Sequence, residues 1–142
     1  MIKFVFLSQK FYEDYAECHE IEQKMARPYI RLGVLIDELL FCVPLRSHIS
    51  HPHVLWTDKE NHCGVDFSKA VVIVDAEKYI DQTETPHIRE NEFKELKGKE
   101  HIIEVKLRKY IAEYKKAKKK PDIPRNRKLL EYSTLQYFEE YI

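Results

Sequence analysis

At 142 residues, with 44% hydrophobic and 12% aromatic content, the chain has the length and composition of one folded domain, which excludes wholesale disorder. Its 24 Lys and Arg balance 24 Asp and Glu, so net charge alone implies no polyanion partner. Three cysteines without CxxC spacing, no bilayer-length apolar run and no signal-peptide pattern in MIKFVFLSQKF point to a soluble protein of the cytoplasm without disulfides.

Ile2–Leu7 is rich in β-formers and predicts a buried strand. Ser8 stands where an N-cap would, before a helix that puts Phe11, Tyr15, Cys18 and Ile21 on one face and Glu13, Glu17 and Glu20 elsewhere. Arg27-Pro28 ends that helix, because the residue before proline is pushed out of the α region. Two apolar runs, Ile30–Ile36 and Leu39–Leu45, meet at Asp37-Glu38 and predict a hairpin. The section from Ser47 to Val65 reads as a long irregular loop, with four histidines and the single Trp56. Ala70–Val74 is a continuous apolar run, as expected of a central strand buried on both faces, and Asp75 caps a short helix through Tyr79 and Ile80.

From Thr85-Pro86 onward the pattern is helical. Glu90–Leu96 forms one helix, interrupted at Gly98, and a longer one runs from about Lys99 to Lys119 with Ile103, Leu107, Tyr110, Ile111 and Tyr114 inward. Pro121-Asp122-Ile123-Pro124 stops it, and a last helix from Arg125 to Tyr141 is expected to bury Leu130, Thr134, Tyr137, Phe138 and Tyr141. Strands first and helices last define the class as α+β. Charge is unevenly spread: Lys106 to Lys128 holds eleven Lys and Arg against Glu113 and Asp122. Within it, Lys115, Lys116, Lys118, Lys119, Lys120, Arg125, Arg127 and Lys128 make a cationic surface suited to a nucleic acid, although lysines also simply favour a helix C-terminus.

The second strand of the hairpin closes on Arg46, Ser47 and His48, with His51 and His53 just beyond. Polar groups at the end of a rigid strand are a usual place for catalysis. Ser47 also suits a plain turn, and the histidines suit an ordinary loop. A zinc reading, drawing on His48, His51, His53, His62 and Cys63, has no standard ligand spacing, so no metal or other cofactor is expected.

Taken together, Arg27-Pro28-Tyr29, the hairpin ending in Pro44-Leu45-Arg46-Ser47-His48, Asp66-Phe67-Ser68-Lys69-Ala70 before a strand, Leu96-Lys97-Gly98-Lys99-Glu100-His101, and Tyr132-Ser133-Thr134-Leu135-Gln136 resemble type III toxin–antitoxin toxins of the ToxN/AbiQ group, and within it the TenpN-like branch. The resemblance covers nearly the whole chain. It implies a small, strongly twisted antiparallel sheet with a MazF-like barrel core wrapped by helices. It also implies metal-independent RNA cleavage to a 2′,3′-cyclic phosphate and a 5′-hydroxyl. The implied inhibitor is an RNA antitoxin of pseudoknot-forming repeats, assembled with the toxin into closed rings, and several such systems abort phage infection. Ser47 matches the family's serine, and Arg27 matches an upstream lysine. Where ToxN proper has a lysine two residues past the serine, this chain has Ile49, and His48 is the side chain that could replace its function.

Metal-free RNA cleavage needs a proton taken from the 2′-hydroxyl, a proton given to the 5′-oxygen, and stabilisation of the phosphorane's charge. Histidine is the side chain best suited to carry protons near neutral pH, which makes His48 a natural proton carrier. Arg27, Arg46 and Lys69 supply fixed charge, Ser47 a hydrogen bond, and Tyr29 a stacking face for a base. The competing reading is a non-catalytic RNA-binding module on the same scaffold.

Overall fold

The chain turns back on itself at Asp37 and Glu38, whose φ values of 49° and 70° are both left-handed, as the tight hairpin turn of this twist requires. The turn joins β2 (Arg31–Ile36) to β3 (Leu39–Arg46) in register from Arg31–Pro44 to Ile36–Leu39. The computed structural model describes residues 2–21 and 29–142. Within them the fold is α+β, a six-stranded antiparallel sheet with the longer helices in the C-terminal half.

β1 (Lys3–Val5) pairs with β2. The opposite edge of β3 is shared: β6 (Val71–Ile73) pairs along Leu40–Cys42, and β5 (Cys63–Asp66) along Leu45–Arg46. β4 (Val54–Asp58) completes the order outside β5. Pro44 sits where one partner gives way to the next. The Leu45 N–H donates to Ile30 O on the β2 side, so alternation puts the N–H that Pro44 lacks on the other edge, between the two partners. The sheet stays open; β1 and β4 lie at the two ends of the strand order.

Three expectations about the strands and the first helix are corrected. The section from Ser47 to Val65 is not irregular, because β4 and β5 form a second hairpin in it. Trp56 and Asp58 flank a register shift in that hairpin, and His62 has φ +55°, which breaks the strand pattern that alternation would have revealed. β6 is buried on both faces as expected, but β3 is its strand partner, so it is not central. α1 spans only Gln9–Asp14; Ser8 caps it, accepting from Phe11 N, and Cys18 to Ile21 continue as turns that still bury Ile21. The predicted stop at Arg27-Pro28 lies outside the described residues.

α2 (Ala76–Tyr79) is capped by Asp75 as expected, and α3 (Glu90–Leu96) gives way at Gly98, whose φ of +77° suits a helix terminus. α4 (Glu100–Lys119) buries Ile103, Leu107, Tyr110, Tyr114 and Ala117, with Ile111 at the margin. The last expected helix is broken. α5 (Pro124–Tyr132) ends at Ser133, and two 3-10 turns follow, Thr134–Tyr137 and Glu139–Tyr141. Leu135, Thr134 and Phe138 are the buried side chains, while Tyr141 is 38% exposed and Leu130 and Tyr137 only partly covered. Ser133 causes the break: its hydroxyl accepts from the Leu135 N–H at 3.2 Å, capping a new turn in a new direction.

Candidate functional site

Alternation along β3 places Cys42, Pro44 and Arg46 on one face, and Arg31 joins them as the cross-strand partner of Pro44. Arg46 stands opposite Gly64 on β5, and Asp66, two residues on, shares that face. An ion pair forms between them, with Arg46 Nη1 at 2.6 Å from Asp66 Oδ2. Any side chain at Gly64 would put a Cβ 2.5 Å from Leu55 O, so the close approach of β4 dictates glycine there.

Asp66 is fully buried and satisfied at both oxygens. Oδ1 accepts from the Ser68 N–H (2.9 Å), the Ser68 hydroxyl (2.6 Å) and His51 Nε2 (3.0 Å). Burial alone would push this carboxyl up, but the hydrogen bonds from His51, Ser68 and Arg46 outweigh it and hold the group at about 2. The His53 N–H donates to His51 Nδ1 at 3.1 Å, which places the ring proton on Nε2, facing Asp66 and, at 3.2 Å, Ser68 Oγ. Serine, histidine and aspartate are therefore neighbours but not a nucleophilic triad. The nitrogen nearest Ser68 already carries the proton, and Asp66 engages that same nitrogen rather than the far one. The cluster is a brace that fixes Arg46.

Arg46 borders an open groove of about 270 Å³. Leu45, Arg46 and Ser47 at the end of β3 line it together with Tyr29, Ile30 and Cys63, and the loop residues His87, Ile88 and Arg89 complete it with Glu92 of α3. The Arg46 guanidinium lies 5.7 Å from the Tyr29 ring centroid, a cation–π contact that orients the ring at the groove's edge. Its charge is favoured by Asp66 and Tyr29, which outweigh the cost of its partial burial. Glu92 is nearly buried and accepts from the Thr57 hydroxyl at 2.7 Å, tying α3 to β4.

Of the residues expected to form the site, Ser47, Arg46 and Tyr29 come together in this groove. His48 follows Ser47 on the surface with φ +58° and does not line the groove, and Ile49 beyond it is core, 2% exposed. Lys69 lies in a narrow crevice next door, shared with Arg31, Arg46 and Tyr29. Its ammonium donates to Tyr132 O (3.0 Å) and Glu20 O (3.3 Å), so it secures the end of α5 and the turn after α1. Arg27 lies outside the described residues. His51 serves Asp66. His53 packs edge-on to Tyr110, 5.1 Å between centroids, with Glu113 at 3.5 Å, and burial lowers its pKa against the pull of that carboxylate.

Lys115, Lys116, Lys119, Lys120, Arg125, Arg127 and Lys128 are exposed along the end of α4 and the start of α5. Lys118 pairs with Glu139, and Lys128 sits over the Tyr132 ring at 6.0 Å. Tyr110 and Tyr114 face the core rather than this surface. Among the described residues no three His, Cys, Asp or Glu side chains gather to hold a metal ion, so the zinc reading finds no ligand set there. No helix described is long and apolar enough to cross a membrane.

The sequence reading missed His87 and Arg89, which sit in an irregular stretch after Pro86 with no periodicity to mark them. It quoted Asp66 and Ser68 without giving them a role. No family model matches the chain, and no curated protein or solved structure does.

Proposed function

We propose that the protein is a metal-independent endoribonuclease, a toxin of the type III toxin–antitoxin kind, that cuts RNA by attack of the 2′-hydroxyl on the adjacent phosphate. One observation carries the reading: Ser47 stands beside a braced Arg46 on a groove whose lining also includes His87 and Arg89. Such a groove suits a sugar–phosphate backbone. Two guanidinium groups can take the non-bridging oxygens and the phosphorane's added charge, Ser47 can donate to the same oxygens, and Tyr29 offers a face to a base. Its likeness to MazF-like ribonucleases, cytoplasmic location, an inhibitory pseudoknot RNA held in a ring-shaped assembly, and a role against phage belong to the same proposal.

The test is direct. Purified protein is incubated with cellular RNA in excess chelator, and the expected products are discrete fragments with 2′,3′-cyclic phosphate and 5′-hydroxyl ends. Ser47→Ala is expected to abolish both cleavage and growth inhibition with an unchanged circular-dichroism spectrum. RNA that is bound but left intact by the wild-type protein would instead establish a binding module without catalysis.

A further inference from the structure

RNA cleavage of this type moves two protons. As the 2′-oxygen–phosphorus bond forms and the phosphorus–5′-oxygen bond breaks, one proton leaves the 2′-hydroxyl and one arrives on the 5′-oxygen. In-line displacement puts those oxygens on opposite sides of the phosphorus, so the two transfers call for two separate proton carriers. The chain has seven histidines. His51 is committed to Asp66 through Nε2 and to a backbone N–H through Nδ1. His53 is packed on Tyr110, and His62 meets Ile49 O through Nδ1 at 3.2 Å while its ring packs edge-on to Trp56. His19 lies in the turns after α1, and His101 in the first turn of α4. His48 lies outside the groove's lining, whereas His87 is exposed and lines it with Ser47 and Arg46, two residues from Arg89.

Resting on the proposed nuclease reading, we infer that His87 is a catalytic residue of this groove: its imidazole, brought to the lining by the loop before α3, makes one of the two proton transfers. The phosphate lies between Arg46 and Arg89, and the second transfer falls to solvent or to a group on the β3 side. No motif marks His87 for this role; its place in the fold does.

His87→Ala and His48→Ala are compared with the wild type on one RNA substrate in chelator, across pH 5 to 9, with RNA binding measured alongside. His87 is exposed, so the substitution is expected to fold. The expected result is a loss of about 10²–10⁴-fold in cleavage rate with RNA affinity within a few-fold of wild type, the disappearance of one limb of the pH–rate profile, and partial rescue of His87→Ala by added imidazole. Cleavage by His87→Ala at the wild-type rate, or a loss matched by an equal loss of binding and not rescued by imidazole, would overturn the inference while leaving the nuclease reading intact. A wild-type protein that cuts nothing would overturn both.

Discussion

Asp66 carries more of the site than any residue that lines the groove. Its folded pKa of about 2 lies below its ordinary 3.8, so the stability it contributes is complete above about pH 4 and is lost as pH falls through 2. The difference is worth roughly 2 kcal/mol. Urea unfolding between pH 5 and 2 is expected to show that loss in the wild type and not in Asp66→Asn, which starts lower because Arg46 loses its counter-charge. Glu38 offers the reverse case. Its φ of +70° costs a non-glycine residue about 1 kcal/mol, and it sits exposed in the β2–β3 turn, so Glu38→Gly is expected to raise the unfolding midpoint by a corresponding amount. Asp37, beside it, should be left alone, since Arg108 of α4 reaches it at 3.3 Å.

The elements divide by how local their causes are. The β2–β3 hairpin, the inward stripe of α4 and the caps at Ser8 and Asp75 could be read from the sequence, because alternation, helical spacing and a capping side chain are near-neighbour effects. The β4–β5 hairpin could not. A register shift near Trp56 and a left-handed His62 interrupt its period, and pairing of β5 with β3 ties it into the sheet. The end of α5 also has a non-local cause, for Ser133 is held by the Tyr110 hydroxyl at 2.7 Å as well as by its own turn. Ser133→Ala removes both bonds from a fully buried position and is expected to cost about 2 kcal/mol in chemical unfolding. For the site the pattern repeats. Ser47 and Arg46 were marked by the strand end they adjoin and Tyr29 by the family resemblance, whereas His87 and Arg89 reach the groove through a loop that the sequence leaves unmarked.

At the scale of the whole molecule, neutrality conceals one concentrated cationic region, the exposed run at the end of α4 and the start of α5. If the run holds a folded RNA, replacing Lys115, Lys116, Lys119 and Lys120 by Gln should weaken binding of a structured RNA and flatten its dependence on salt by up to about 3 in log–log slope, with the fold unchanged. Cleavage of a short single strand by the groove should change much less. The C-terminal segment meanwhile serves the groove's brace from behind: the Thr134 hydroxyl donates to the carbonyls of Ser68 and Ala70, and Lys69 reaches Tyr132 O. Translation delivers a chain from its amino end, so Asp66 and Ser68 emerge well ahead of the residues that clasp their turn. A polypeptide grown past Glu92 but not yet to Tyr132 therefore holds every groove side chain without its final fastening. For the proposed nuclease, the turn behind Arg46 is clasped only once Tyr132 and Thr134 have joined the chain.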